Sequence, residues 1–279
     1  MNIRQIMMNS IKELSSSATP KLDVELILCK VLDVDRLYLH INLDEDITKE
    51  QETEFYCLLN QRKEGRPIAY ILGHREFMGL DFFVKEGVLI PRPDTEILIE
   101  EVINLSKSIK SPLIVDIGTG SGAISVSLAK YIKDAKVYSL DISDTALEVG
   151  KINAKNNNVE DRITFLKSDL FSSVENLNSK FDIVVSNPPY IKKDDIYNLD
   201  KDVKDYEPIL ALDGGEDGLN FYRRITKDSL MFLKENGVLA YEVGHDQAED
   251  VKEIMIENNF KNIKIVRDLA GIQRVVIGF

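Results

Sequence analysis

Apolar residues change their spacing along this chain, and the change divides it. Near the N-terminus they recur at helical intervals: Ile3, Ile6, Met7, Ile11 and Leu14 fall on one face. Ser15-Ser16-Ser17-Ala18-Thr19-Pro20 breaks that pattern, and Leu22, Leu26, Ile27, Val31 and Leu32 begin a second amphipathic stretch. Thr48, with Gln51 three positions on, fits a capping box opening a third helix that carries Phe55, Leu58 and Leu59, and Gly65 suits its C-terminal stop. These stripes predict the core of a small all-α domain over residues 1–75. Residues 77–91 then alternate, with Lys85-Glu86-Gly87 between the runs Leu80-Asp81-Phe82-Phe83-Val84 and Val88-Leu89-Ile90, and predict a β-hairpin linker over 76–92.

From there on, short apolar runs alternate with helical patterns. Residues 113–117, 136–141, 163–167, 181–186 and 238–243 read as strands, with helices over 97–109, from 123, over 219–234 and over 247–258 between and after them. Closing strands fall at 263–266 and 274–277. Strand–helix alternation predicts an α/β, Rossmann-like domain with a mostly parallel sheet over 93–279. Pro91-Arg92-Pro93-Asp94-Thr95-Glu96 supplies ordinary helix-start signals, and its place between the domains leaves room for a role beside a ligand cleft. A polar loop runs from 191 to about 216 and holds Tyr206-Glu207-Pro208 and Leu212-Asp213-Gly214-Gly215; its length alone suggests function.

Composition narrows the classes. The 279 residues suit one large domain and a smaller one, and 44% hydrophobic residues can fill both cores. No run approaches a membrane span and no secretory leader opens the chain, so a cytoplasmic protein is expected. Cys29 and Cys57 lack redox or metal spacing and are expected as reduced core residues, and the three histidines are too scattered to suggest a metal. A net charge of −12 argues against broad, salt-sensitive contact with nucleic-acid phosphates, so no stable nucleic-acid binding is expected.

Candidate chemistry collects at strand ends, where open α/β sheets bind ligands. The run 181–186 is cut by Asn187-Pro188-Pro189-Tyr190: two prolines end the ladder and leave an Asn amide, rigid carbonyls and an aromatic ring. An Asn oxygen and a neighbouring carbonyl are paired acceptors for a planar –NH2 group; on its own the motif reads equally well as a turn. The run 113–117 contains Asp116 and leads through Gly118-Thr119-Gly120-Ser121-Gly122 into the helical pattern at Ala123. Strand, glycine turn and helix let the backbone approach a ligand closely. Asp141 ends the next strand about twenty residues later, a position that suits a carboxylate gripping ribose hydroxyls. A nicotinamide enzyme would share part of this, but the spacing is G-x-G-x-G rather than the dinucleotide G-x-G-x-x-G.

The glycine loop, with Asp116 ahead of it and Asp141 after it, resembles the cofactor loop of S-adenosylmethionine-dependent methyltransferases. That resemblance implies that Asp169, past the third strand, meets the adenine amino group and that Phe171 packs on the ring. Arg92-Pro93-Asp94-Thr95-Glu96, the 116–124 loop, Asn187-Pro188-Pro189-Tyr190, Tyr206-Glu207-Pro208 with Ala211-Leu212 and Gly215, and Asp268-Leu269-Ala270-Gly271 with Arg274 narrow it further. Over nearly its full length the chain resembles the protein-(glutamine-N5) methyltransferases of class 1 peptide-chain release factors. The resemblance implies a class I methyltransferase domain with a seven-stranded sheet, S-adenosyl-L-methionine converted to S-adenosyl-L-homocysteine, a release-factor substrate carrying Gly-Gly-Gln, and N-terminal helices that recognise it. A monomer is expected.

An amide nitrogen is a poor nucleophile, so Asn187 and Pro188 are expected to hold it through its N–H bonds, with Tyr190 against the amide plane. Pro189 completes this substrate-binding set, while Asp116, Gly118, Thr119, Gly120, Ser121, Gly122, Asp141, Asp169, Phe171 and Asn187 form the cofactor set. Two other readings stay open. One is an adenine-N6 methyltransferase acting on DNA or RNA, whose target is also a planar –NH2. The other is a silent cofactor-binding scaffold.

Overall fold

A computed structural model describes residues 1–15, 17–177 and 179–279. The chain forms two compact units, one of Met1–His74 with Asp200–Tyr206, the other of Arg75–Leu199 with Glu207–Phe279. In the first unit, helices α1 (Ile3–Glu13), α2 (Pro20–Leu32), α3 (Arg36–Ile41), α4 (Lys49–Lys63) and α5 (Ile68–Leu72) surround Ile6, Leu14, Val24, Ile27, Leu28, Leu39, Phe55 and Leu59. Of the expected break before α2, Ser16 lies outside the described residues. Both bonds of the Thr48/Gln51 capping box form, and Gly65 takes φ +103° past the end of α4.

The buried face of α2 differs from the expected one. Leu22 is exposed, whereas Asp23 and Glu25 are buried with Val24, Ile27 and Leu28. Their charges are met locally: Asp23 accepts from Arg62 Nε and Ser17 Oγ, both at 2.7 Å, and Glu25 accepts from Arg36 Nε at 2.8 Å. Buried carboxylates survive only when paired in this way. Cys29 is partly buried, but Cys57 is exposed on α4 rather than in the core.

The two-stranded sheet is β1 (His74–Phe77) and β2 (Leu80–Phe83), which from Arg75 onward belongs to the second unit. Its turn falls at Met78-Gly79, where both residues have positive φ (53° and 67°), and not at Lys85-Glu86-Gly87. Residues 88–90 form no strand. The segment expected to be a linker belongs to this unit: Phe77 and Phe82 enter its core edge to face, 5.8 Å apart. Helix α6 (Asp94–Ser106) starts earlier than periodicity suggested, with Asp94 and Glu96 in its first turn.

The main sheet comprises β3 (Leu113–Ile117), β4 (Lys136–Asp141), β5 (Ile163–Lys167), β6 (Phe181–Ser186), β7 (Leu233–Glu242), β8 (Lys264–Arg267) and β9 (Gln273–Gly278), in the order β5-β4-β3-β6-β7-β9-β8. All pairs up to β7 are parallel, and β9 runs antiparallel between β7 and β8. β7 begins five residues before the expected Val238, taking in a register irregularity opposite β6. Helices α7 (Ala123–Tyr131), α8 (Asp144–Asn156), α10 (Asn220–Phe232) and α11 (Ala248–Glu257) complete the layers, while the short α9 (Lys201–Lys204) belongs to the first unit. Alternate residues supply opposite faces: Ile114, Ile183, Val185 and Ala240 join α6 and α7, whereas Val115, Val184, Leu239 and Tyr241 join α10 and α11. Each fully buried Ile, Val or Leu among them contributes about 1.5–3 kcal/mol, so both faces fix the strand register.

Candidate active site

Strand order reverses at β3, whose neighbours are β4 on one side and β6 on the other. Register then aligns the strand ends: Ile117 pairs with Leu140 and with Ser186, and Asp141 pairs with Lys167. The segments leaving these four strands therefore stand side by side. A cavity of about 320 Å³ opens there, lined by residues 118–121, Asp141, Ser168, Asp169, Leu170, Asn187, Pro188 and Pro189. Its size is that of a small-molecule site.

The glycine loop holds its shape through Asp116. Gly118, Gly120 and Gly122 have φ of +75°, +55° and +80°. At Gly122 a side chain would also meet the Gly150 Cα of α8 at 3.1 Å, so close helix packing demands glycine there. Asp116 is fully buried and absent from the cavity wall; its Oδ2 accepts from Thr119 Oγ1 at 2.8 Å and Ser125 Oγ at 2.6 Å. Desolvation pushes its carboxyl up to about 6, against the pull of those hydroxyls. It thus braces the loop from behind. Beside it, Asn153 of α8 donates to Phe83 O and Ser121 O and accepts from Phe83 N, tying the loop to β2.

Asp141 does reach the cavity. Its two oxygens accept from Gly120 N and Ser143 N, both at 2.9 Å, and burial raises its pKa. Each oxygen keeps a further lone pair for a hydroxyl. Beyond the loop, an added Cβ at Gly118 or Gly120 would find nothing within 4 Å, so the backbone there faces open space. A carboxylate next to bare backbone, with Leu140, Ile142 and Leu170 on the apolar wall, fits a nucleoside carrying a polar tail.

Phe171 and Tyr190, like Asp116 and the helix-packed Gly122, stand off the cavity wall. Phe171 is 3% exposed and stacked on Phe232, ring centroids 4.5 Å apart, inside the core. Leu170 takes φ +51° and faces the cavity in its place. Tyr190 lies outside the lining, half-buried against the core on the α10 and α11 face, with its carbonyl accepting from Gln247 Nε2 at 2.9 Å. Its hydroxyl is pushed upward by burial and by the nearby Glu242 charge. Asp169 is on the wall but half-exposed, and Arg224 Nη2 donates to both its oxygens at 2.9 and 3.0 Å.

The rim of the wall comes from two runs that the sequence marked as motifs without giving their residues roles, the first with room for a place beside the cleft. Arg92 and Thr95 line the cavity from the start of α6, and Pro208, Leu210 and Ala211 line it from the loop after β6. Arg92 Nη2 donates to Glu207 Oε1 at 2.6 Å, joining these two segments. Thr95 Oγ1 donates to Glu242 Oε2 at 2.5 Å and accepts from Asn187 Nδ2 at 3.2 Å. The 91–96 and 206–208 runs were the only available signal for this rim.

This topology, with a glycine loop after the first central strand and a cavity-facing carboxylate after the second, defines a class I methyltransferase domain. A methyltransferase from Pyrococcus furiosus shares the fold, with a TM-score of 0.54 at 18% identity over 82% of this chain and 98% of that one. A family model described as the PrmC N-terminal domain matches residues 5–73, and one described as the methyltransferase small domain matches 93–203. A release factor glutamine methyltransferase from Clostridium acetobutylicum is 48% identical over 255 residues, 91% of this chain and 90% of that protein. One from Clostridium botulinum is 43% identical over 262 residues, 94% and 93% of the two chains. The chain belongs to the release factor glutamine methyltransferase family. Among its described residues no helix is long and apolar enough to cross a membrane.

Proposed function

We propose that this enzyme methylates the side-chain amide nitrogen of the glutamine in the Gly-Gly-Gln motif of class 1 release factors, using S-adenosyl-L-methionine. The observation that carries the reading is the shared wall: Asn187 and Pro188 line the same cavity as the glycine loop and Asp141. The cofactor, when bound, supplies an electrophilic methyl group on a sulfonium. Asp141 would accept from the ribose hydroxyls, the 118–121 backbone would hold the amino-acid tail, and Leu140, Ile142 and Leu170 would cover the base. Asp169 presents an acceptor at the base edge while it stays paired with Arg224.

The substrate side needs little acid–base power. Asn187 Oδ1 and the Pro188 carbonyl each accept one N–H of the glutamine amide, which fixes the nitrogen and favours electron density on it. Alignment of that nitrogen with the methyl carbon can lower the barrier by several kcal/mol. Tyr190, packed against the core outside the cavity wall, takes no direct part in the clamp and supports it from behind. The first unit recognises the protein partner, and the enzyme works as a monomer.

Incubation with methyl-labelled S-adenosylmethionine and either intact release factor or nucleic acid tests this. Label on the release-factor glutamine is expected. Label on adenine would replace this reading with the nucleic-acid one, and cofactor binding without transfer to either would leave only a scaffold.

A further inference from the structure

An Asn amide can face its substrate in two ways, and only one offers an acceptor. In this structure Asn187 Nδ2 donates to Thr95 Oγ1 at 3.2 Å, and Thr95 Oγ1 donates onward to Glu242 Oε2 at 2.5 Å. A hydroxyl carries one proton. While Thr95 gives that proton to the carboxylate, its oxygen can only accept, so Asn187 must turn its –NH2 inward and its oxygen outward. The inward Asn187 amide also helps to keep the Glu242 carboxyl ionised, lowering its pKa. The direction of the whole chain is thus dictated by a buried group at the end of β7, 147 positions from Thr95.

We propose that Thr95 and ionised Glu242 are positioning residues that lock the Asn187 amide with its oxygen toward the substrate, and that reversing the polarity of this chain switches methyl transfer off. The inference rests on the reading that Asn187 accepts from the substrate amide. Reversal has a defined route. Glu242 is 2% exposed, and its desolvated carboxyl is pushed up to about 7. Asp94 from α6 raises it further, Arg274 from β9 lowers it, and the hydroxyls of Tyr190 and Tyr222 feel its charge. Once protonated, Glu242 donates to Thr95 Oγ1, the Thr95 proton turns to Asn187, and the amide oxygen is drawn inward. Its –NH2 would then face the substrate –NH2, donor against donor.

The test combines single-turnover methylation of intact release factor, at saturating cofactor and between about pH 5 and 9, with a measurement that needs no turnover. That measurement is hydrogen exchange of the Asn187 side-chain amide protons by NMR, assigned by comparison with N187A. In wild type the exchange is slowed, and the rate climbs with pH through about 7. T95V should lose roughly a hundredfold in rate. Its cofactor affinity should stay near wild type and the slowed exchange should vanish, while T95S restores both rate and protection. E242Q cannot titrate, so its rate should lose the limb near pH 7.

A folded T95V at wild-type rate, an E242Q that keeps the limb, or wild-type Asn187 protons exchanging like those of an exposed Asn would each overturn the proposal. If T95V does not fold, T95S and E242Q still decide it. If wild type leaves release factor unmethylated, the functional reading fails, while the exchange measurement still passes judgement on the lock.

Discussion

Asp141→Ala isolates the cofactor side of the site. Asp141 has three tasks: it accepts from Gly120 N, from Ser143 N and, in the functional reading, from the ribose. A charge-assisted bond to the ribose is worth about 1.5–3 kcal/mol, which predicts a ten- to hundredfold loss of S-adenosylmethionine affinity. The alanine also leaves two backbone donors to find water, which costs stability without removing the sheet that positions the loop. Asp141→Asn keeps one oxygen and no charge, so it should fall between wild type and alanine.

Proton linkage separates the two effects. Burial raises the Asp141 pKa, so this group favours the folded state most below its unfolded pKa, and that contribution is lost as pH rises through the raised folded value. Cofactor binding has the opposite sign, because the ribose needs the ionised acceptor. Affinity should therefore weaken as pH falls, starting above the ordinary carboxylate range, and D141N should remove this trend. Titration calorimetry measures the affinities, and urea unfolding shows that the variants fold. Unchanged affinity in folded D141A would refute the ribose assignment.

Asn187→Ala should lower the single-turnover rate 10²–10³-fold, about 3–4 kcal/mol, with a smaller change in cofactor affinity; a rate within about threefold of wild type would remove the amide clamp. Asn187→Asp should also be slow, because a carboxylate beside the sulfonium stabilises the ground state more than the transition state. Glu242→Gln should leave stability near wild type at acid pH and gain up to about 3 kcal/mol above neutrality. The buried carboxyl of wild type favours folding while protonated below its ordinary value of 4.5 and loses that contribution as pH rises through about 7; an equal gap in urea unfolding at low and high pH would contradict this. Leu37→Asp with Ile41→Asp, on an exposed face of α3, should raise KM for intact release factor and leave cofactor affinity unchanged, whereas an unchanged KM would remove that face from partner recognition.

The central strands and their ends were legible because local chemistry set them: Val-rich runs bounded by Gly118 or by Pro188 and Pro189 have few other ways to fold. The capping box at Thr48 was legible for the same reason. What escaped depended on distant partners. Asp23 and Glu25 look like surface residues until Arg62 and Arg36 are placed against them. The β1 strand, His74-Arg75-Glu76-Phe77, is mostly polar and exposed, so the apolar runs on either side of Lys85 drew the hairpin to the wrong turn. Phe171 was chosen for its ring, yet one left-handed residue, Leu170, sends that ring into the core. Thr95 and Glu242 carry no motif that links them.

Asn153 gives the glycine loop a property that its composition would deny it. Three glycines in five positions should make the segment among the cheapest in the domain to unfold locally. With one side chain bonded at once to Ser121 and to both backbone groups of Phe83, the loop cannot open unless Asn153 releases its hold on Ser121. Loop and strand thereby share one cooperative opening event, and the glycine loop, braced from behind by Asp116, draws the rest of its persistence from the β-hairpin.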